Sequence, residues 1–203
     1  SWLGNSVSVA LVTASISVLL ALFFAYAVRL QPSLSWVNRL LGFGYALPGT
    51  VLAVGILSFL GYFDLGWIMS SSIWILIYAY LIRFLSSGLQ SIDTGLTRIA
   101  PTLDATASLL GLTIYQTLRR IHLPLLSRSI FTAGLLVFVD VMKELPATLL
   151  LRPFNFDTLA VATYQLAADE RLSELALPAL TIVLVGLIPV FVLARVIASN
   201  KPY

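Results

Sequence analysis

Four runs of this sequence carry no charged residue across 18 positions or more: Ser6 to Val28, Leu40 to Phe63, Leu65 to Ile82 and Leu175 to Ala194. A membrane-crossing helix needs about 20 mostly apolar residues. A fifth run, Leu126 to Leu149, has the length but carries Asp140, Lys143 and Glu144. The pattern predicts an all-α fold: a polytopic transmembrane helical bundle of about five spans. Composition agrees. Hydrophobic residues make up 59% and charged residues 10%, against about 25% charged in a soluble domain, and mean hydropathy is +0.97. The principal partner of such a surface is the lipid bilayer. The net charge of +3 is spread over scattered arginines, so no nucleic acid is expected as a partner. With no cysteine and one histidine, His122, the chain cannot build disulfides, thiolate metal sites or a histidine-based metal site.

Orientation follows from arginine and lysine. With the loop from Leu89 to Leu125 cytoplasmic, Arg29, Arg39, Arg83, Arg98, Arg119, Arg120, Arg128, Arg195 and Lys201 all fall inside. Only Arg152 and Arg171 fall outside, together with Asp64, Asp157, Asp169, Glu170 and Glu174. The first residue is then external and the last internal. The first apolar run is longer than a signal-peptide core and lacks a basic lead-in. The chain opens Ser-Trp-Leu without Met, so it is expected to be a fragment of a longer one.

Within the second run, Gly42, Gly44, Pro48, Gly49 and Gly55 provide small residues for close helix approach. Pro48-Gly49 predicts a kink or break, which serves either packing or the lining of a pathway. The Leu89–Leu125 loop is too long to be structureless. Pro101 and Asp104 suit a first helical turn. Leu103, Ala107, Leu110, Ile114, Leu118 and Ile121 recur every three or four residues, one apolar stripe. Gly111 should divide it into two short helices, and Pro124 should end it. Periodicity leaves two readings open: a helix lying on the membrane surface, or one entering a groove on a partner protein.

Asp104-Ala105-Thr106, then Gly111 six residues after Ala105, then Ile121-His122-Leu123-Pro124 after nine more residues, resembles the permease signature of bacterial ABC importers. That signature is written E-A-A, three residues, G, nine residues, I-x-L-P. Asp104 stands for Glu and Thr106 for the second Ala. The resemblance implies that residues 101–124 form a cytoplasmic coupling loop. Asp104, Ala105, Thr106, Leu110, Gly111, Ile121, Leu123 and Pro124 would then be its ATPase-coupling residues, and residues 1–203 a permease domain. No G-x-x-x-x-G-K-S/T phosphate loop is present. ATP would therefore be used by a separate ATP-binding cassette subunit, with no cofactor bound by this chain.

Asp140, Lys143 and Glu144 lie at i, i+3 and i+4, on one face of a helix. Counted from Arg128 they sit roughly 18 to 24 Å deep, where an unpaired charge costs about 2.5–3.5 kcal/mol. They are expected to face the protein interior, either locking helices together or lining a cavity. Met142 to Thr148, Leu151 to Ala160, Tyr164 to Ala167 and Asp169-Glu170 together resemble the C-terminal half of iron(III) importer permeases. That resemblance implies a bacterial inner-membrane importer fed by a periplasmic substrate-binding protein and completed by a second permease half. The expected pathway residues are Asp140, Lys143, Glu144, Pro48 and Gly49. No resident metal is expected, only transient iron contact at Asp140 and Glu144, since hard cations favour oxygen ligands. Thiamine, polyamine and phosphonate permeases share the architecture. Phe156 to Arg171 is too short to cross and reads as an external helix. Arg152, Asp157, Tyr164, Asp169 and Glu170 would be its docking or gating residues. Two other functions stand against an importer. An intramembrane enzyme needs paired histidines and carboxylates that this chain lacks. A secondary transporter needs no ATPase-docking loop.

Overall fold

The computed structural model describes residues 1–65 and 72–198; Lys201, expected inside, and residues 66–71 of the expected third span lie outside the described residues. Every regular element among the described residues is helical. α1 (Trp2–Leu30) is capped at its start by the Ser1 hydroxyl, which accepts from Gly4 N. It stops at Gln31, whose backbone is extended (φ −136°, ψ 91°) because Pro32 follows. Ala10, Ala14, Ser17, Ala21 and Ala25 form a buried stripe of small residues along it, which lets two neighbours approach closely in lipid.

Those neighbours are α4 (Ile73–Thr97) and α7 (Leu123–Met142). The three helices pack against one another. One cluster forms around Leu76, Tyr80, Phe84, Val137 and Leu151, and a second around Leu85, Leu89, Ile92, Leu126 and Ala133. Leu19, Phe23, Phe131 and Leu184 point outward, as a lipid-facing surface requires.

Between α1 and α4 the chain does not form one span. α2 (Ser35–Gly42) passes into a tight 3-10 turn at Phe43–Ala46, and α3 (Gly49–Tyr62) follows at 105° to it. Leu47 and Pro48 are extended at the corner, since the residue before a proline avoids the helical region. The expected span Leu40–Phe63 is therefore a sharply broken pair. Gly44 and Gly49 make close approaches there, while Gly42 and Gly55 face open space.

The third expected span also shifts. α4 does not end at Ile82 but runs through Arg83 to Thr97, and the loop shortens accordingly. α5 (Thr102–Leu109) and α6 (Ile114–Thr117) are the two short helices expected on either side of Gly111. Pro124 does not end the second of them. α6, a π turn at Leu118–His122 and α7 form one rod, Ile114–Met142. In the π turn Leu123 N donates five residues back, to Leu118 O, and the wider turn accommodates Pro124, which has no N–H of its own. α7 stops at Met142, and α8 (Pro146–Leu151) starts a new direction at its proline. α9 (Leu159–Ala168) is the expected short helix, and α10 (Leu172–Ala198) closes the described chain.

α1, α4 and the α6–α7 rod are each long and apolar enough to cross a membrane, and the bent pair adds a fourth crossing if it counts as one. α10 has 27 residues, of which Leu172–Ile188 is the described apolar part.

Candidate functional site

A groove of about 890 Å³ runs along α4 and α7. On α4 it is lined by Ser87, Gln90, Ser91 and Thr94, and at the C-terminal cap by Arg98, spaced so that they share one face. On α7 the lining is Arg128, Ser129, Thr132, Leu136 and Asp140, with Tyr45 and Ala46 of the broken segment alongside. Ser91 Oγ donates to Ser129 O at 3.1 Å, and Ser87 Oγ donates to Asp140 Oδ2 at 3.3 Å. With Arg98, Arg128 and Asp140 also in its lining, the groove is a polar surface within an apolar bundle, suited to water or a polar solute. Of the expected pathway residues only Asp140 lines this groove. The α4 stripe escapes a hydropathy reading because Leu89–Thr97 looks like loop. Its signal is the polar spacing of three and four from Ser87 to Arg98, visible once the helix is extended past Arg83.

The three charged residues of the α7 end do not share one face, because the helix ends beneath them. Asp140 is buried and Lys143 Nζ lies 2.9 Å from its Oδ1, with the lysine side chain largely exposed. Glu144 is 7% exposed and turns the other way, to Arg83 Nη1 at 2.5 Å. The contact is an ion pair, and Arg83 Nε and Nη1 are both buried without a hydrogen-bond acceptor. Glu144 Oε1 also accepts from Ala147 N at 3.2 Å, capping α8. Gly49 sits directly on the pair: a Cβ there would lie 2.7 Å from Glu144 Oε1 and 2.8 Å from Arg83 Nη1. Pro48 itself is exposed. Arg83, expected at the cytoplasmic edge, is instead an interior partner, about 15 Å along α4. Moving it leaves the inside excess of basic residues intact.

In the loop the apolar stripe does not form one face. Gly111 has φ +74°, a left-handed turn that favours glycine. It turns the chain so that Ala107 is buried while Leu109, Leu110, Ile114 and Tyr115 are 60–88% exposed. Ala105, Thr106 and Pro124 are exposed; Ile121 and Leu123 are half-buried. Leu109 and Tyr115 were not among the expected contact residues. Asp104 is half-buried and held from its inner side: Arg29 Nη2 lies 2.8 Å from Oδ2 and His122 Nε2 2.9 Å from Oδ1. Counting back from Gly111 gives the reason. Four residues separate Thr106 from Gly111, one more than the signature holds, so the outward acidic place falls on Ala105.

At the opposite end Arg152 pairs with Asp157. Asn5 Nδ2 donates to Asp157 O at 3.0 Å, and Leu159 N donates to Ser6 Oγ at 2.7 Å. This ties the start of α9 to α1. Tyr164 is half exposed, and Asp169 and Glu170 are exposed at the end of α9. The φ of Glu170 is +57° where the helix stops.

No family model matches the chain. Among curated proteins it is 29% identical over 195 residues to the Fe(3+)-transport system permease protein FbpB 2 of Haemophilus influenzae, covering 94% of this chain and 38% of that protein. It is 31% identical over 162 residues to the PhnV permease of Salmonella typhimurium, named for a 2-aminoethylphosphonate transport system, covering 80% of this chain and 58% of that one. The chain thus spans less than two thirds of the length of these relatives. Fold and groove define an all-α, multi-pass membrane protein with a polar groove between two of its helices. Over most of its length it is a homologue of ABC importer permeases.

Proposed function

We propose that this chain is the membrane-spanning permease subunit of an ATP-driven importer, moving ferric iron delivered by a periplasmic binding protein into the cytoplasm by alternating access. The observation that carries this reading is the polar α4–α7 groove, with an exposed apolar loop tip beyond its basic end. In this reading the tip (Leu109, Leu110, Ile114, Tyr115) docks on a separate ATPase subunit in the cytoplasm. A second permease half covers the open side of the groove, and the exposed end of α9 meets the binding protein. Hydroxyls and the Asp140 carboxylate are the hard oxygen donors a ferric ion favours. Glu144 is removed from the set of iron contacts, since Arg83 holds it away from the groove.

A second substrate has its own support. Arg98 and Arg128 line one end of the groove and Asp140 the other. A zwitterion such as 2-aminoethylphosphonate would be matched at both ends, phosphonate to arginine and ammonium to carboxylate. Transport assays on the complete transporter in proteoliposomes separate these readings. Ferric iron should accelerate ATP hydrolysis in the presence of the binding protein, and Thr132→Leu should abolish uptake while leaving folded yield unchanged. Stimulation by the aminophosphonate alone would transfer the assignment to that substrate. Full uptake with Thr132→Leu would remove the groove from the pathway.

A further inference from the structure

Arg29 stands in the last turn of α1, where an arginine commonly does no more than mark the cytoplasmic side. Here four of its five N–H donors are engaged. Nε and Nη2 donate to Asp104 Oδ2 at 3.0 and 2.8 Å, Nη1 donates to Leu96 O at 2.7 Å, and Nη2 also donates to Ile99 O at 3.1 Å. Leu96 and Ile99 close the cytoplasmic end of α4, and Asp104 is in the first turn of α5. The guanidinium therefore joins three helices at one point, which a lysine ammonium with three donors and no planar fork could not reproduce.

The circuit closes through His122. This ring is fully buried. Its Nε2 lies 2.9 Å from Asp104 Oδ1 and its Nδ1 lies 3.2 Å from Tyr26 Oη. Tyr26 is one turn before Arg29 on α1, and its ring packs edge-on against the imidazole. His122 ends the π turn that leads into α7, and such turns recur where a helix is adapted to a task. α5 has only eight residues, too few to hold its shape alone. It is anchored at its first turn, while Leu109 and Leu110 stand exposed at its other end.

We infer that Arg29, Asp104 and His122 form a clasp that gears the loop tip to α1 and to the groove-lining α7, with Arg29 as a positioning residue for energy coupling. The inference rests on the reading of the loop as an ATPase-docking element. A displacement of the tip is passed through the Asp104 carboxylate to α1 on one side and α7 on the other. Without the clasp the tip would still dock, but α5 would swing on its connections and leave the rods behind.

The test uses the complete transporter in proteoliposomes, with its ATPase subunits and binding protein. A Leu109→Cys variant cross-linked to the ATPase first checks the docking reading. The chain has no other cysteine, and absence of a cross-link there would remove the docking reading whatever the clasp does. In Arg29→Gln, ATPase co-purification and the Leu109→Cys cross-link should persist, while substrate moved per ATP hydrolysed falls about five- to tenfold, the size of an ordinary coupling between sites. Arg29→Lys should fall between the two, and it carries the test should Arg29→Gln fail to fold. The Arg29→Cys/Asp104→Cys pair should be uncoupled as free thiols and regain coupling when bridged by a short bis-maleimide, which adds one thiol across each of its two double bonds. The clasp is overturned if the Arg29 variants transport within about twofold of wild type per ATP, if ATPase association falls in step with transport, or if bridging restores nothing.

Discussion

Glu144→Gln removes one charge from the Arg83–Glu144 pair while keeping its shape. The amide oxygen can still accept from Ala147 N, and Thr148 Oγ1 still donates to Glu144 O at 2.8 Å. What is lost is the compensation of Arg83, whose side chain is 16% exposed, and whose Nε is already without an acceptor. Breaking a buried pair by removing one partner costs about 3–5 kcal/mol. The retained cap favours the lower end, about 3 kcal/mol. For a chain of this size that is a fall of roughly 6–12 °C in melting temperature. Arg83→Met should cost as much, since it strands the carboxylate. The double variant Arg83→Met/Glu144→Gln should recover most of the loss, because exchanging both partners for neutral groups is often close to neutral. The assay is thermal unfolding of the purified protein in detergent, run as a double-mutant cycle. Additive losses, with no coupling between the two sites, would refute the reasoning. Transport adds a second readout. The pair sits against Gly49 at the corner of the broken segment, so uptake should fall further than stability alone accounts for.

Three further outcomes are expected. Gly111→Val places a β-branched residue at φ +74°, at a local cost of about 1–3 kcal/mol; membrane insertion should be normal and ATP-driven uptake lost, and unchanged uptake with unchanged ATPase binding would remove the turn from any coupling role. Asp169→Cys should react with a membrane-impermeant thiol reagent in intact spheroplasts, and labelling only after permeabilisation would invert the topology. Tyr80→Phe deletes a fully buried hydroxyl that donates to Thr148 Oγ1 at 2.5 Å; thermal unfolding should show a loss of about 1–1.5 kcal/mol, and no loss would mean that Thr148 finds another partner.

Features that depend on residues close together in the chain were legible in the sequence. The uncharged runs announce membrane helices. Pro48 breaks the second run because the residue before a proline is disfavoured in the helical region, and Gly111 divides the loop because its backbone is left-handed. The α9 helix follows from Leu159, Ala162 and Leu166, which the structure buries. What the tertiary structure decided is where charges find partners and which polar residues share a space. Arg83 looked like a cytoplasmic anchor because hydropathy ends a span at the first charge. Only the approach of Glu144, 61 positions further on, makes an arginine tolerable in mid-helix. Nor does the loop pattern show that Asp104 pairs with Arg29 and His122, which the packing of α1 against α4 and α7 brings together. The groove depends on the rotation of α4 and α7 about their own axes, which puts Ser91 beside Ser129. That rotation is set by small-residue contacts between helices distant in sequence, and no local pattern encodes it.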